Sequence, residues 1–461
     1  MSLIRRKHVV FFPVEVKVRE FDFRLILAVF CARPDWQIIL GDHEQLFPIT
    51  LRLKNAILVL KNVIGGKRPW KYRKYKDLGH RIVQLDEEAG IFEGDKDFWK
   101  EELHRRLDIA KMDADDYVCT WGTFQADYYK SLNPACADHI IATGHPRMEL
   151  GSPRFSELYR AEADRLHARF GDFILINTNL VANNARGIDV LLVSHKVDPA
   201  NTAFRTRIIE QEGFEIRRAG HFIDLINHLS NEFPDRQIVV RPHPSEDIRR
   251  HEALLRFIPR VTVTREGSLY AWLMASSILV HGGCTTAIEA QVVGKPIINF
   301  HPEVDERFDV CLPNLLGVTC RTLPEVSSTI REIQASGVVP ELDETRAAQL
   351  EEILCNLNKN HSGFDLITGI ITKCQDESQP TTPVGLPPTL FLQSLRDTLG
   401  RFTRSSRLLL SIFHRRDTGE HKFPPLDRRE ILRKVEIISR ITGKQVKVHF
   451  HSAKIFSITT D

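Results

Sequence analysis

The segment QIVVRPHPSE at Gln237–Glu246 and the segment SSILVHGGCTTAIEAQVVGKPIINF at Ser276–Phe300 decide the fold that this sequence predicts. In each segment, polar residues follow directly after a run of β-branched apolar residues. Such runs are typical of buried parallel strands, whose carboxyl ends face the ligand crevice of an open sheet. We therefore predict a strand in each segment and a binding site where the two strands end.

The second segment also predicts a helix that begins where its strand ends. Gly282 and Gly283 are followed by Thr285 and Thr286 at the start of that helix. Exposed backbone N–H groups at a helix N-terminus, flanked by hydroxyls, suit an anion such as a nucleotide phosphate. Threonine is also a common N-cap, and capping is compatible with phosphate binding because both use the same helix end. We predict that these residues bind a donor phosphate.

Two basic residues end the first of these strands. His243 stands between Pro242 and Pro244, which fix the backbone as a binding turn requires. Its imidazole can donate a hydrogen bond to a leaving phosphate in either protonation state. The planar guanidinium of Arg241 suits a second phosphate contact. We predict that both bind phosphate, and the alternative for His243 is a structural histidine at a strand end.

Polar residues at four other positions are candidates for further contacts. Glu289 lies one turn into the predicted helix, where its carboxylate can accept both ribose hydroxyls of a nucleotide. The alternative is a buried carboxylate bonded to neighbouring backbone. Asn177 and Asn179 follow another predicted strand and are candidates for sugar contacts, although asparagine is also common in turns. Arg147 is predicted to lie between the two halves and to contact the acceptor or a phosphate.

An acidic cluster, Asp86–Glu88, follows the strand-like run HRIVQL. Carboxylates crowded together at a strand end repel one another, which raises the pKa of one of them towards neutrality. Such a group can act as a general base, so we predict a catalytic role for the cluster. The alternative is an acidic N-cap for the segment that follows.

The composition indicates a soluble globular protein with more than one core. The chain has 461 residues, of which 42% are hydrophobic and 27% charged. Its net charge of +3 is too small to indicate nucleic-acid binding. The N-terminus lacks the pattern of a secretion signal, and no apolar run approaches the roughly 18 residues that span a bilayer. We predict a cytoplasmic protein.

Strand-like runs alternate with helix-length segments along most of the chain. This alternation predicts an α/β fold with two Rossmann-like, doubly wound domains facing a central cleft. The predicted domains cover residues 1–170 and 171–375, and residues 376–461 form a linker and a C-terminal helical extension.

The C-terminal extension contains a strongly basic stretch. Ser394–Arg416 carries six arginines and one acid, and leucines recur there at helical spacing. A basic amphipathic helix is typical of proteins that bind anionic membrane surfaces. The alternative is a helix that packs across the domain interface with its arginines in solvent.

Five motifs together resemble a known family. In chain order they are GHRIVQLDEEAG, ATGHPRMEL, FILINTN, VVRPHPSE and HGGCTTAIEAQVVGKPIIN. They resemble bacterial surface-carbohydrate biosynthesis proteins, which are GT-B-type proteins related to capsule Kdo transferases, over roughly Val9–Pro302. More distantly, His243-Pro244 and the acidic cluster look like the HP and D/E-D/E-G motifs of bacterial sialyl- and polysialyltransferases. The cluster has one inserted residue, which leaves open whether Glu87 or Glu88 is the base.

The resemblance implies a GT-B glycosyltransferase of bacterial capsule or lipopolysaccharide biosynthesis. It implies a CMP-activated acidic sugar such as Kdo as donor, bound by the second domain, and a saccharide or glycolipid as acceptor, bound by the first. Such an enzyme is expected on the inner face of the cell membrane. The alternatives are a CDP-glycerol-type phosphotransferase and a non-catalytic assembly subunit. The joint presence of Asp86–Glu88, His243 and Glu289 argues against a degenerate site.

One motif could suggest a metal. Asp113-Ala114-Asp115 matches the D-x-D pattern of metal-dependent transferases, but it precedes the strand-like run YVCTW instead of ending one. The histidines show no H-x-x-x-H or H-E-x-x-H spacing. Cationic side chains and a helix dipole are available to stabilise the phosphate charge. We therefore predict neither a metal site nor a cofactor.

Overall fold

The computed structural model describes residues 7–64, 69–180, 201–357, 362–384 and 422–460. The helix predicted at Ser394–Arg416 lies outside these residues and stays a prediction. The predicted α/β class, with two Rossmann-like halves in the GT-B arrangement, is confirmed by two separate sheets of mainly parallel strands. Within the described ranges, no helix is both long and apolar enough to span a bilayer.

The described strands form three sheets. In chain order the strands are β1 (His8–Val14), β2 (Trp36–Asp42), β3 (Leu53–Lys54), β4 (Ile57–Lys61), β5 (Arg81–Leu85), β6 (Tyr117–Thr120), β7 (Ile140–Ala142), β8 (Ile174–Asn177), β9 (Ile238–Arg241), β10 (Val261–Val263), β11 (Ile278–His281), β12 (Ile297–Phe300), β13 (Val318–Cys320), β14 (Thr382–Pro383), β15 (Lys447–Phe450) and β16 (Ile455–Thr459).

The larger sheet forms the first half, in the order β15-β16-β2-β1-β4-β5-β6-β7. Its strands from β1 to β7 are parallel, and Val9–Phe12 and Ile57–Val59 are fully buried. Continuous burial is expected where helices cover both faces of a parallel sheet. The short strands β3 and β14 form a separate antiparallel pair.

The second half is built on a six-stranded parallel sheet in the order β10-β9-β8-β11-β12-β13. Numbered within this half, the order is 3-2-1-4-5-6, which is that of the Rossmann fold. Phe222, Leu225 and Leu229, on one long helix, pack with strand residues in a core of their own. Each half therefore has its own sheet and places its strand ends independently.

Helices connect most of the strands. The α-helices span Lys17–Phe30, His43–Thr50, Pro69–Asp77, Lys96–Arg106, Thr123–Leu132, Glu157–Phe170, Thr202–Glu232, Ile248–Leu255, Leu269–Ala275, Thr286–Val293, Cys311–Asn314, Leu323–Ser336, Glu344–Ile353, Gly363–Asp376 and Arg428–Thr442. Short 3-10 helices span Ile109–Lys111, Pro134–His139 and Pro146–Gly151.

The two halves contact each other through the segment that follows β7. The hydroxyl of Tyr270, from the second half, donates to the carbonyl oxygen of Arg147 at 2.6 Å. A Cβ added to Gly151 would lie 2.4 Å from the side chain of Val293. Glycine is required there because the backbone of one half approaches a helix of the other.

The C-terminal residues 422–460 pack against the first half. The helix Arg428–Thr442 places Lys434 2.7 Å from Asp22, and β16 pairs antiparallel with β2. The sequence predicted a helical extension but not the strands β15 and β16. These strands depend on pairing with a partner about 400 residues away, which no local pattern reveals.

Arg24 is a deeply buried cation of the first half. It is fully buried, donates to Val59 O at 2.9 Å and to Glu87 Oε1 at 3.0 Å, and lies 3.8 Å from Glu20. We expect Arg24→Met to lower the free energy of unfolding by about 3–5 kcal/mol, because it removes the arginine that pairs with the buried carboxylate of Glu87. Urea unfolding of the variant measures this loss.

Arg33 provides the matched control. It pairs with Asp376 at 2.7 Å, but the two side chains are 38% and 58% exposed. Arg33→Met should change the free energy of unfolding by less than about 1 kcal/mol, since exposed pairs contribute little. Equal losses in the two variants would contradict the importance of the buried cluster.

Candidate functional site

Two reversals of strand order show where ligands can bind. In the second sheet the order reverses between β8 and β11, which end at the paired residues Asn177 and His281. In the first sheet it reverses between β1 and β4, which are followed by Glu15 and Asn62. A crevice opens at the carboxyl ends of strands where their order reverses. The predicted site residues follow strands at these same edges.

A buried carboxylate fixes the turn that carries His243. Glu246 Oε1 accepts hydrogen bonds from the backbone N–H of His243 and from the hydroxyl of Thr178, both at 2.8 Å. Its other oxygen lies 2.7 Å from Nε2 of His251. Glu246 therefore ties the end of β9 to the end of β8. The sequence analysis missed this residue, although it lies within the quoted segment.

The same turn orients the imidazole of His243. The backbone N–H of Ser245 donates to Nδ1 at 3.2 Å, and the Ser245 hydroxyl lies 2.7 Å from it. Since Nδ1 accepts, the neutral ring carries its proton on Nε2, which has no hydrogen-bond partner among the described residues. Burial and the charges of Arg19 and Arg265 lower the pKa of His243 to about 4. The structure therefore favours a neutral imidazole with an available N–H donor.

The lowered pKa predicts how stability depends on pH. The unfolded chain binds a proton at His243 near pH 6.5, whereas the folded chain binds it only near pH 4. Between these values the unfolded state holds more protons, so the contribution of His243 to stability falls as pH falls from 6.5 towards 4. We expect His243→Gln to lose this part of the pH dependence, which urea unfolding at pH 4.5, 5.5 and 7 would detect. Identical pH dependence in both proteins would contradict it.

A tight glycine turn follows β11. Gly283 has φ of +65°, a value that side chains disfavour. A Cβ on Gly282 would lie 2.7 Å from the Phe222 ring. The helix then begins at Thr286, whose hydroxyl accepts from Asn177 Nδ2 at 3.0 Å. The side chain of Thr285 makes no capping hydrogen bond.

Two further predicted residues have other neighbours. The guanidinium of Arg241 donates to the carbonyl oxygen of Glu266 at 2.6 Å and stacks 5.1 Å from the centroid of the Trp272 ring. Its donors therefore serve a loop of the second half, and its predicted phosphate contact stays a prediction. Asn179 lines a cavity of about 40 Å³ together with Gly282 and Gly283.

Two of the three clustered acids are enclosed by partners. Asp86 is 1% exposed and accepts from Arg106 Nη2 at 2.6 Å. Glu87 is 5% exposed, accepts from Arg24 and lies 3.4 Å from Nε2 of His145. Burial raises the pKa of Glu87, but His145 and Arg24 outweigh burial and hold that pKa well below its usual value. Each of these two carboxylates is therefore buried and paired with an arginine.

Glu88 is the accessible member of the cluster. Its side chain is 42% exposed and pairs with Arg19 at 3.0 Å and with Arg106 at 3.5 Å. Burial raises the pKa of Glu88, but these two cations lower it overall. The charges of both Glu88 and Arg19 act on His243 of the other half. Glu88 and His243 therefore lie within electrostatic range of each other, one in each half.

The sequence analysis missed Arg19. It lies in the first turns of the helix Lys17–Phe30, directly after β1. The charge of Arg19 affects the pKa values of Glu88, His243 and Glu289, which come from both halves. Arg19 could have been identified from its position in the sequence. A cation just after the first strand of a doubly wound sheet lies at the carboxyl edge of that sheet.

Arg147 and Glu289 form a buried ion pair between the two halves. Nε of Arg147 lies 3.8 Å from Oε1 of Glu289, and both side chains are buried. Burial raises the pKa of Glu289, while Arg147 opposes that shift. Oε2 of Glu289 and Oδ1 of Asn177 have no hydrogen-bond partner among the described residues. Such orphaned acceptors are uncommon in folded proteins and suit ligand hydroxyls.

The acids of the D-x-D segment and the adjacent Asp116 form ion pairs with a lysine. Nζ of Lys76 lies 2.8 Å from Asp115, 2.8 Å from Asp116 and 3.6 Å from Asp113. The ammonium group takes the position from which a cation would neutralise these acids. The cluster follows the 3-10 helix Ile109–Lys111 and precedes β6.

No protein-family model and no curated protein matches this chain. Three similar solved structures are UDP-GlcNAc 2-epimerase from Methanocaldococcus jannaschii, UDP-GlcNAc 2-epimerase from Neisseria meningitidis and the wall teichoic acid polymerase TagF. Their identities are 13%, 10% and 12%, with TM-scores of 0.47, 0.45 and 0.42. The matches cover 79%, 80% and 81% of this chain and 99%, 99% and 90% of those chains. Likeness at this level says nothing about the chemistry of the site.

Proposed function

We propose that this protein transfers a glycosyl group from a nucleotide-activated sugar to a hydroxyl of a bacterial surface polysaccharide. The observation that carries the proposal is that the charges of Glu88 and Arg19 from the first half act on His243 of the second, while Arg147 of the first half lies 3.8 Å from Glu289 of the second. This transfer requires a carboxylate base for the acceptor hydroxyl and, opposite it, groups that donate hydrogen bonds to the leaving phosphate.

The second half is proposed to bind the donor. Nε2–H of His243 and the backbone N–H groups that begin the Thr286 helix would stabilise the charge on the leaving phosphate. The orphaned oxygen of Glu289 would accept ribose hydroxyls, and that of Asn177 a sugar hydroxyl. These donors and acceptors are held by buried partners, so little reorganisation is needed when the ligand binds.

Glu88 is proposed as the general base. Its pairing with Arg19 and Arg106 keeps it ionised, the state that a base needs before the reaction. A base works best when its pKa is near the working pH, which these cations oppose. A bound donor phosphate would attract Arg19 away from Glu88 and so raise the pKa of the carboxylate. Donor binding would thereby activate the base.

The narrower proposal is a CMP-linked acidic sugar such as Kdo. It is supported by the resemblance of His243-Pro244 to the HP motif and by two cations, Arg19 and Arg147, that can pair with a sugar carboxylate. We retain the assignment of residues 1–170 to the acceptor and 171–375 to the donor, with no metal or cofactor in the reaction. The inner face of the cell membrane is the proposed location.

A donor panel tests the proposal. Purified protein is mixed with oligosaccharide acceptors and with CMP-Kdo, a CMP-nonulosonate, UDP-GlcNAc or CDP-glycerol, and nucleotide release is measured with and without EDTA. We expect release from a CMP-sugar, unaffected by EDTA. Release from CDP-glycerol alone would instead support a phosphotransferase, and release from no donor would favour a non-catalytic subunit.

A further inference from the structure

The helix Pro69–Asp77 presents an exposed aromatic and basic face. Trp70 is 47% exposed, and Arg73 and Lys74 are exposed beside it at the three- and four-residue spacing of one helix face. Tyr72 and Tyr75 are buried and anchor the opposite side of the helix. We call Trp70, Lys71, Arg73, Lys74 and the neighbouring Phe47 the Trp70 face.

The cations of this face surround its rings. Nζ of Lys71 lies 4.2 Å from the centroid of the Phe47 ring, and Nζ of Lys74 lies 5.6 Å from that of Trp70. The two rings meet edge to face at 5.8 Å. Arg73 and Lys74 have no ion-pair partner among the described residues. An exposed indole flanked by two lysines therefore lies at the surface.

We propose that the Trp70 face binds an anionic lipid surface. Indole rings favour the boundary between headgroups and acyl chains, and cations beside them are attracted to anionic headgroups. A nucleic acid would instead need a stripe of cations that follows its phosphates. Here the cations are clustered around one aromatic pair, and the helix carries one exposed acid, Asp77, at its last residue.

The Trp70 face lies near the edge of the first sheet at which the cleft opens. Its helix follows β4, one of the two strands between which the strand order reverses. Trp70 is in the first turn of that helix. The described chain also resumes at this edge, where Lys422 pairs with Glu15 at 2.8 Å. A membrane here would present a lipid-linked acceptor to Glu88. That use rests on the proposed function, whereas lipid binding does not.

The five tryptophans allow a direct test with the full-length protein. Trp36, Trp99, Trp121 and Trp272 are at most 5% exposed, so Trp70 is the exposed member of the set. Residues 385–421 contain no tryptophan. Vesicles of phosphatidylcholine and phosphatidylglycerol with brominated acyl chains should therefore quench Trp70 fluorescence on binding. Trp70→Phe should remove the quenching, and pure phosphatidylcholine vesicles should give little of it.

Charge variants complete the test. Arg73→Ala with Lys74→Ala should weaken binding to the anionic vesicles by about 30-fold, the effect of two lost cations. The matched control is Arg256→Ala with Phe257→Ala, because Phe257 is 83% exposed and Arg256 stacks 4.6 Å from the centroid of its ring. The control should bind like the wild type.

Three results would overturn the proposal. The first is vesicle binding without quenching, which would place the contact on the basic stretch Ser394–Arg416. The second is the absence of binding to anionic vesicles. The third is tighter binding to a double-stranded oligonucleotide than to vesicles. Nucleotide release from soluble donors is measured separately, so failure of the lipid proposal leaves the proposed reaction standing.

Discussion

Replacing His243 by alanine is expected to lower turnover by about 10²–10³-fold, the usual effect of losing one positioned donor to a developing negative charge. The fold should remain intact, because Glu246 binds the backbone N–H of His243 and not its side chain. The loss should be smaller for a donor with a better leaving group. Steady-state kinetics with purified protein, and with a nucleotide sugar that the wild type uses as donor, would measure the effect.

His104 provides the matched control for this experiment. It is an exposed histidine in the last turn of the helix Lys96–Arg106. His104→Ala should keep wild-type turnover, and both variants should keep wild-type melting temperatures. If His243→Ala also turned over normally, His243 would be a structural residue of its turn and the phosphate site would lie elsewhere.

Glu88→Gln should lower turnover by about 10²–10⁴-fold with nearly unchanged nucleotide affinity, because a general base acts in the transition state. Stability should change little, since Glu88 and Arg19 are both partly exposed. A kinetic analysis that separates turnover from donor affinity, together with a melting curve, would measure both properties.

Glu87→Gln is expected to behave differently. Glu87 is buried against Arg24 and His145, so removing its charge leaves a buried cation without its partner. The variant should melt at a lower temperature, and any loss of activity should accompany that change. Normal turnover by Glu88→Gln, with a large loss at unchanged stability in Glu87→Gln, would make Glu87 the base.

The fold was predictable where local patterns determine it. The run QIVVR forms the strand Ile238–Arg241, and the run SSILVH forms the strand Ile278–His281. Both were predictable because β-branched apolar runs suit a parallel sheet that is covered on both faces. The long helix Thr202–Glu232 is less evident from the sequence. Its first part contains Gly213 and several charges, which weaken the helical pattern in the sequence.

The site was less predictable because it is assembled from distant segments. His243, Gly283 and Thr286 lie close to strand ends that the sequence shows, and their positions followed from those ends. Arg19 and Glu88 are 69 residues apart and meet only after folding. The environment that distinguishes Glu88 from Glu87 comes from other helices, so spacing alone could not identify the accessible acid.

Binding of the nucleotide is the most direct test of the proposed site. Thermal unfolding is followed with CMP, CDP, UDP or GDP, in the wild type and in His243→Ala. We predict that one nucleotide stabilises the wild type, by about 2.7 kcal/mol when present at 100 times its Kd. The same nucleotide should stabilise His243→Ala much less. Stabilisation by none of the four, or equal stabilisation of both proteins, would contradict a donor site at His243.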